Sequence, residues 1–403
     1  MIPFSPPRID DEICNEVIAA LKSGWITTGP RTKQFEKELS AYCGIQHTLC
    51  LNSATAGLEI MLRWFGVKEG DEVILPAYTY SATANVIVHC GAKPVFVDVK
   101  GSDFTICPEA IKKAITPQTK VIMPVDFAGL PCDYTSINAI AESSRSTFIP
   151  HNPIQKQLGR ILVLADAAHS FGAIYKGQHT GSLTDVSVFS FHAVKNLSTA
   201  EGGAVALNLP NPFNNKEIYD LLCIKTLHGQ NKDALAKTQK GNWRYDIVEA
   251  GYKCNMTDIA AAIGLVELKR YDSDTLQRRK EIVEAYDQSF RNDNRFQLPI
   301  SADNDRQGCY HLYPLRVNRI TEQQRDAIIT EIFNQEVSVN VHFLPVPGMS
   351  FYKQMGYDVN DYPIALDNSN REISLPVYYN LTSQQIKTVT KAVLSAVDKI
   401  LAA

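Results

Sequence analysis

The sequence lacks the features that would indicate a secreted, membrane or nucleic-acid-binding protein. It has no run of about 18 apolar residues, so no membrane span is expected. The opening stretch MIPFSPPRIDDE has no apolar core of the kind a signal peptide needs. The nine cysteines include no CxxC pair, which favours reduced thiols in the cytoplasm over a disulfide framework or a metal site. The net charge of −3 gives no reason to expect a nucleic acid or a membrane surface as partner.

Two common nucleotide-binding motifs are also absent. The chain contains neither GxGxxG nor GxxxxGK[ST], so dinucleotide-binding and P-loop functions lose their usual support.

The chain has 403 residues, of which 45% are hydrophobic and 21% charged, as expected for a globular protein with a large core. That length predicts about two domains. We place a large domain at residues 1–250 and a smaller one at residues 251–403.

The first 250 residues alternate between helix and strand patterns. Helices are predicted at residues 9–22, 32–42, 108–115 and in the segments ending at Gly66 and His89. Strands are predicted at residues 47–52, 71–76, 93–99, 120–126, 161–166 and 185–191. This alternation predicts an α/β fold with a mostly parallel central sheet flanked by helices. Residues 143–160 have little periodicity and are predicted to form a surface loop.

The pattern changes after residue 250. Residues 257–290 form a long, mostly helical stretch rich in Ala, Arg and Glu. Beyond it, strands are predicted at 311–317 and 337–343, and helices at 322–333 and 383–401. These elements predict a smaller α+β domain.

Several polar residues come directly after predicted strands, where parallel sheets bind their ligands. Asp166 ends the strand at 161–166, although an isolated aspartate at such a place more often caps a helix or forms a turn. The segment NSATAG (52–57) joins a strand to a helix, and its small residues leave the helix N-terminus open to an anion. Simple capping by Ser53 or Thr55 explains that segment equally well.

Two further residues have an ordinary explanation when each is taken alone. Ser190 closes a strand and could be a satisfied hydroxyl, and Tyr80 follows a strand and could be a core aromatic. Lys195 stands in SFHAVKNLSTAEGG (190–203), among small, apolar and hydroxyl residues. Together, an anion site, an acid, a lysine and an aromatic ring are what pyridoxal phosphate requires. The lysine forms a Schiff base with this cofactor, and the acid keeps the cofactor's pyridinium nitrogen protonated.

The sequence also resembles a known family, the DegT/StrS sugar nucleotide aminotransferases, which belong to the fold-type I group of pyridoxal phosphate enzymes. The motifs lie in family order along most of the chain: SGWITTGPRTKQFE (23–36), NSATAGLE (52–59), GDEVILPAYTY (70–80), ADAAHSFG (165–172), SFHAVKNLSTAEGG (190–203) and GYKCNMTDIAAAIG (251–264). Within the family it is most similar to enzymes that aminate C4 of UDP-linked 4-keto sugars, such as the 4-amino-4-deoxy-L-arabinose aminotransferases. One departure is Ala165, where relatives commonly carry an acid.

The resemblance implies a role for each matching residue. It implies that Lys195 holds the cofactor and shuttles protons, that Asp166 pairs with the pyridinium nitrogen, and that Tyr80 stacks on the ring. It also implies that Ala54, Thr55 and Ser190 bind the phosphate and that His169 lies beside the ring. Asn255 would reach the phosphate of the neighbouring subunit's cofactor. The sugar nucleotide would be contacted by Trp25, Thr27, Lys253 and His342. The site would therefore be built in a homodimer.

The implied reaction moves an amino group from L-glutamate to the C4 keto group of a nucleotide-linked deoxy sugar, for polysaccharide or lipopolysaccharide synthesis. Alternatives remain open at this point. One is a C3-keto dTDP-sugar aminotransferase, and another is a sugar dehydratase, although dehydratases of the family are expected to lack the lysine. A cofactor-sensing module is a third. A fourth is an amino-acid aminotransferase, which would need an arginine such as Arg244 or Arg316 for the second carboxylate.

Overall fold

The computed structural model describes residues 1–232 and 243–402. Its centre is a seven-stranded sheet in the order β1-β9-β8-β5-β4-β2-β3. These strands are β1 His47–Leu51, β2 Glu72–Pro76, β3 Lys93–Val97, β4 Thr119–Ile122, β5 Leu162–Asp166, β8 Val186–Ser190 and β9 Gly203–Leu207. The pairings from β8 through β5, β4 and β2 to β3 are parallel, and β9 runs antiparallel to both β1 and β8. The predicted α/β fold with a mostly parallel sheet is confirmed.

Helices connect the strands and cover the sheet. Before residue 270 they are Asp11–Ser23, Pro30–Cys43, Ala54–Phe65, Ser81–His89, Pro108–Ala114, Tyr134–Ser143, Pro153–Leu158, Asn215–Lys225 and Asp258–Lys269. Short 3-10 turns lie at Phe127–Gly129, Ser144–Ser146, Val346–Gly348 and Val359–Asp361. Within the two described ranges, no helix combines the length and apolar character that crossing a bilayer requires.

The C-terminal part contains a second, smaller sheet. It pairs β10 Phe296–Gln297, β12 Tyr313–Val317 and β13 Glu372–Leu375, all antiparallel. A third small sheet joins β6 Ile174–Tyr175, β7 Gln178–His179 and β11 Arg306–Gln307. The later helical segments are Tyr271–Leu276, which is a π-helix, and Gln277–Phe290, Glu322–Asn334, Ser350–Gln354, Pro363–Arg371 and Ser383–Leu401.

Two predictions of local structure were wrong. Residues 143–160 are not a plain surface loop, because they contain the helix Pro153–Leu158. The amide of Gln155 is buried there and donates a hydrogen bond to the carbonyl oxygen of Phe65 at 3.0 Å. Residues 337–343 form no strand and make only isolated bridges, such as the one between Asn340 and Ser374. Conversely, the sequence pattern did not predict β9, a short run of small and apolar residues.

The apolar core has separate parts. Buried residues between Ile282 and Val397 form one cluster around the smaller sheet. The helix Asp258–Lys269 does not contribute to that cluster. Its Ala261, together with Met256 just before it, belongs to a different cluster that contains Phe35. The predicted domain boundary at residue 250 stays a prediction. The buried residues of the cluster around the smaller sheet all lie between residues 282 and 397.

One buried carboxylate fixes the loop at residues 24–29 to the rest of the fold. Asp258 is fully buried, and its oxygens accept hydrogen bonds from the backbone N–H groups of Gly29, Arg31 and Thr32 at 2.8 to 3.0 Å. The Thr32 hydroxyl donates a fourth bond at 2.7 Å. The carboxylate therefore caps the N-terminus of helix Pro30–Cys43, where a negative charge is also favoured by the helix dipole.

We expect Asp258→Ala to lower the free energy of unfolding by about 3 kcal/mol, because four donors would lose their acceptor in a buried place. Urea unfolding followed by circular dichroism measures this loss. The control is Asp361→Ala at an exposed aspartate, expected to change stability by less than about 0.5 kcal/mol. An Asp258→Ala protein as stable as the control would contradict the capping role.

Candidate active site

A cavity of about 380 Å³ opens beyond the carboxyl ends of β5 and β8, at the start of helix Ala54–Phe65. Eight residues that the sequence singled out line it: Ala54, Thr55, Tyr80, Asp166, His169, Ser190, Lys195 and His342. The parallel strands bring their carboxyl ends to one edge of the sheet, which is why residues far apart in the chain meet here. The structure therefore brings together most of the residues proposed for the site.

Lys195 lies in the loop that joins β8 to β9. The loop is held by backbone hydrogen bonds from Lys195 to His192 at 2.8 Å and from Thr199 to Phe191 at 2.8 Å. Burial lowers the pKa of Lys195 to about 8, and the charge of Asp166 acts in the opposite direction. A lysine with a lowered pKa has a larger fraction of neutral amine near pH 7, and the neutral amine is the nucleophile.

Asp166 ends β5 and is buried at the floor of the cavity. One carboxylate oxygen accepts a hydrogen bond from the Thr83 hydroxyl at 2.8 Å, and the other accepts from the Ala168 N–H at 3.2 Å. Burial raises the pKa of Asp166, while these two hydrogen bonds and Lys195 work against that rise. Asp166 is not a helix cap, but its bond from the Ala168 N–H does belong to a local turn, and its carboxylate faces the cavity.

The helix Ala54–Phe65 begins at the cavity wall. Ser53 caps it by accepting the N–H of Ala56 at 3.1 Å. Within the described residues, the N–H groups of Ala54 and Thr55 have no hydrogen-bond partner, so they remain open to an anion. Capping and anion binding are thus not exclusive, because they use different positions of the same turn.

Gly203 explains why glycines follow the lysine loop. A Cβ atom built on Gly203 would lie 2.4 Å from the nitrogen of Ala54 and 2.5 Å from the carbonyl carbon of Ser53. Any side chain there would collide with the start of the helix. A glycine is needed so that β9 can pass directly against the open helix terminus. The Glu-Gly-Gly sequence therefore serves the anion site as well as the lysine loop.

Tyr80 is not a core aromatic. Its side chain is 63% exposed, it precedes helix Ser81–His89, and it lines the cavity. Its ring centroid lies 5.9 Å from that of Phe343. Ser190 closes β8 at the same cavity, and in the part of the chain that the structure describes its hydroxyl accepts only a long hydrogen bond of 3.4 Å, from the His192 N–H. Both groups are available to a bound molecule.

Two histidines form a pair on one wall. His169 and His311 have ring centroids 4.4 Å apart, and burial lowers the pKa of both. His311 Nδ1 is hydrogen-bonded to the Asn196 side-chain oxygen at 2.9 Å, whereas His169 Nδ1 is buried with no partner in the described part of the chain. The sequence analysis missed His311, whose only local signal is its position at the start of a strand pattern.

A segment near the N-terminus forms another wall that the sequence analysis missed. Phe4 and Ser5 line the cavity, and the Phe4 ring stacks on His342 with centroids 5.5 Å apart. The segment is tied at one end by backbone bonds between Ile2 and residues 336 and 338, and at the other by the ion pair of Arg8 with Asp274 at 2.6 Å.

The other predicted residues lie outside this cavity. Asn255 donates a hydrogen bond to the Thr28 hydroxyl at 2.5 Å and accepts one from Lys253 at 2.5 Å. Trp25 and Thr27 are half-buried and exposed, respectively, in the loop that Asp258 anchors. The two segments that carry these four residues are joined by the bond between Asn255 and Thr28, and none of the four lines the cavity of Lys195.

The arginines proposed for an amino-acid aminotransferase do not line the cavity either. Arg316 is buried and donates to the side-chain oxygen of Asn368 and to the carbonyl oxygen of Ser102. Arg244 is exposed beside the Trp243 ring. This geometry gives no support to that alternative.

The cavity residues fit pyridoxal phosphate. The open N–H groups of Ala54 and Thr55 suit a phosphate, and the close approach of Gly203 keeps that end of the cavity free of side chains. Asp166 is a buried carboxylate with no cationic partner at hydrogen-bond distance among residues 1–232 and 243–402, which suits a protonated ring nitrogen. Lys195 supplies the amine and Tyr80 an accessible ring face.

Comparison with known proteins supports the same assignment. The profile of the DegT/DnrJ/EryC1/StrS aminotransferase family matches residues 7–394. The spore coat polysaccharide biosynthesis protein SpsC of Bacillus subtilis is 37% identical, with 97% of this chain and 96% of that protein aligned. The uncharacterized protein MJ1066 of Methanocaldococcus jannaschii is 40% identical, over 99% of this chain and 98% of that protein.

Solved structures are similar over the whole chain. The putative sugar aminotransferase Spr1654 of Streptococcus pneumoniae superposes in its PMP form with a TM-score of 0.96 and 44% identity, covering 99% of this chain and 100% of that one. Its PLP form gives a TM-score of 0.94 at 42% identity, covering 99% of each chain. PseC of Helicobacter pylori, an aminotransferase of pseudoaminic acid biosynthesis, gives 0.86 at 27%, covering 99% of each chain.

These comparisons confirm three of the predictions. The family resemblance is confirmed by the profile match, and the fold class by the superpositions. The prediction of pyridoxal phosphate as cofactor is confirmed by the family and by the PLP form of Spr1654. The individual site residues stay predictions.

We expect Gly203→Ala to destabilise the protein by about 1–3 kcal/mol, because the new Cβ must push the helix start away. The affinity for pyridoxal phosphate should fall as well, since the same displacement moves the open N–H groups. Urea unfolding and titration of the cofactor's absorbance measure the two effects. Gly101→Ala is the control, because its built Cβ meets only Ile364 at 3.6 Å. Unchanged cofactor affinity in Gly203→Ala would contradict the proposed anion site.

Proposed function

The chain belongs to the DegT/DnrJ/EryC1/StrS aminotransferase family, and we propose that it transfers the amino group of L-glutamate to the C4 keto group of a UDP-linked deoxy sugar. Family and structural neighbours make it a pyridoxal phosphate-dependent sugar aminotransferase. The choice of a UDP-linked 4-keto sugar is supported by the motifs SGWITTGP, NSATAG and GYKCNMTDI. We propose that the enzyme acts in the cytoplasm and that its product serves polysaccharide or lipopolysaccharide synthesis; SpsC, a spore coat polysaccharide biosynthesis protein, supports the polysaccharide role.

One observation carries the proposal: Lys195 and Asp166 line the same cavity as an open helix N-terminus. Bound pyridoxal phosphate supplies a carbonyl carbon that carries the amino group between substrates and a ring that takes up the electron pair released at the donor carbon. Asp166 is proposed to keep the ring nitrogen protonated. Ala54, Thr55 and Ser190 are proposed to hold the phosphate.

Lys195 is the proposed proton carrier. Its pKa of about 8 lies close to neutral pH, where an amine can both take up and release a proton during a reaction. It would remove the proton from the α-carbon of glutamate in the first half-reaction and return a proton to the sugar's C4 in the second. Tyr80 is proposed to stack on the cofactor ring, and His169 is proposed to lie beside the ring.

We also propose that the working form is a homodimer with two shared sites. Asn255, Lys253, Trp25 and Thr27 lie together but outside the cavity of their own chain. Ile26, in the same loop as Trp25, is 52% exposed. In a dimer these residues can complete the cavity of the partner, with Asn255 at the phosphate and the others at the sugar nucleotide.

The substrate is tested by separating the two half-reactions. The purified protein is loaded with pyridoxal phosphate, converted with L-glutamate, and mixed with UDP- and dTDP-linked 4-keto and 3-keto sugars while the cofactor's absorbance is followed. We expect a UDP-linked 4-keto sugar to restore the original spectrum fastest. If a dTDP-linked 3-keto sugar restores the spectrum faster, the substrate is a 3-keto dTDP sugar and the proposed substrate class is wrong. If glutamate causes no spectral change, the amino donor is wrong.

The shared site is tested by mixing two inactive variants. We expect Lys195→Ala to abolish turnover, and Asn255→Ala to lose activity at limiting cofactor. After the two are unfolded together and refolded, mixed dimers should contain one intact site, and activity should reappear. A mixture that stays as inactive as its parents would contradict an Asn255 donated across the interface. Lys112→Ala, at an exposed lysine, is the control and should keep full activity.

A further inference from the structure

Three side chains form a hydrogen-bonded chain that ends at the cavity wall. His342 lines the cavity, and its Nδ1 lies 2.9 Å from the Ser374 hydroxyl. Ser374 in turn donates its proton to a carboxylate oxygen of Glu372. The second oxygen of Glu372 accepts the backbone N–H of His342 at 2.9 Å. Glu372 and Ser374 are buried and lie on β13 of the smaller sheet, behind the cavity.

The same histidine is fixed on its other sides. The Phe4 ring stacks on it at an interplanar angle of 23°. The carbonyl oxygen of His342 accepts the Tyr78 hydroxyl at 2.6 Å. Because Nδ1 is already bonded to Ser374, Nε2 is the nitrogen left for a bound molecule, and it has no hydrogen-bond partner within the described residues.

His342 is a neutral imidazole at working pH. Burial and the charge of Lys195 lower the pKa of His342 to about 4. A neutral imidazole carries its proton on one nitrogen and accepts on the other, and the partner of the first nitrogen decides which is which. While Ser374 gives its proton to Glu372, it can only accept from His342. The proton of His342 then lies on Nδ1, and Nε2 is an acceptor.

We propose that Ser374 and the ionised form of Glu372 are positioning residues that make His342 Nε2 a hydrogen-bond acceptor for a hydroxyl group of the sugar. This inference rests on the proposed function, since it assigns a contact to the sugar substrate. L-Glutamate, the other substrate, has no hydroxyl group to donate. The three residues should therefore matter in the sugar half-reaction and not in the glutamate half-reaction.

The charge of Glu372 decides which group donates and which accepts in the hydrogen bonds between Glu372, Ser374 and His342. Burial raises the pKa of Glu372 to about 8, and the groups that face it are the hydroxyl of Ser374, the phenol of Tyr78, and the guanidinium groups of Arg316 and Arg325. A protonated Glu372 can donate to Ser374, which then donates to Nδ1 of His342. Nε2 then carries the proton and can no longer accept. The acceptor form thus exists above about pH 8 and is lost as the pH falls through that value.

The first test compares the two half-reactions in Ser374→Ala. The probes are L-glutamate and the UDP-linked 4-keto sugar that best restores the wild-type spectrum. Above about pH 8, where Glu372 is ionised, we expect the second-order rate constant of the sugar half-reaction to fall about tenfold, the loss of one hydrogen bond. The glutamate half-reaction should stay within about twofold. Ser374→Thr keeps the hydroxyl and should recover most of the sugar rate.

The matched control is Tyr313→Phe. It removes a bond of 2.8 Å from the Tyr313 hydroxyl, on β12 of the same small sheet, to the carboxylate of Asp287 on helix Gln277–Phe290, and neither residue lines the cavity. This control should leave both half-reactions unchanged. If Ser374→Ala slows both half-reactions equally, or neither, the positioning role is overturned.

The second test is the pH profile of each half-reaction. In the wild type we expect the ratio of the sugar to the glutamate rate constant to rise as the pH rises through about 8, because Nε2 becomes an acceptor, whereas the titration of Lys195 affects both half-reactions. Glu372→Gln cannot ionise, so this gain in the ratio should disappear while the glutamate profile keeps its wild-type shape. A variant that retains the gain would refute the role of Glu372. A wild-type protein inert toward glutamate would instead refute the proposed function, so the two failures are distinct.

Discussion

The site depends on one close contact, between the first residue of β9 and the first turn of helix Ala54–Phe65. Gly203 approaches so closely that no Cβ fits between it and the helix start. The contact fixes the helix terminus, whose open N–H groups form the anion site. Because β9 is hydrogen-bonded to β8, the same contact also fixes both ends of the loop that carries Lys195. Amine and anion site are therefore held at a set separation by backbone packing, before any side chain contributes.

Burial then adjusts the chemistry of the side chains held in this frame. It lowers the pKa of Lys195 and of the cavity histidines and raises that of Asp166. The uncharged forms of the amine and the imidazoles are therefore favoured, while hydrogen bonds from Thr83 and Ala168 support the carboxylate. In the buried part of the cavity, around Asp166, each electrostatic contact with a bound cofactor is strengthened because little water competes there.

Much of the site could be predicted because its residues follow apolar strands. Asp166 and Ser190 each end a run of buried residues, and parallel strands bring such ends together. What could not be predicted depends on contacts between distant parts of the chain. His311 is fixed by Asn196, 115 residues away, and the helix at 153–158 is fixed by a contact of Gln155 with Phe65 across 90 residues. Local patterns carry no information about such partners.

The segment from Ile2 to Arg8 has a consequence for how the protein acquires its binding pocket. The Ser5 hydroxyl donates to the carbonyl oxygen of Val194, but the contacts at the two ends of the segment and that of Phe4 are with residues 336 and 338, with Asp274 and with His342, in the C-terminal part of the chain. During synthesis this segment leaves the ribosome long before those partners exist. The wall that Phe4 provides can therefore form only after the C-terminal core has assembled, since long-range contacts follow the elements they join. A nascent or truncated chain could complete the central sheet and still lack an enclosed site.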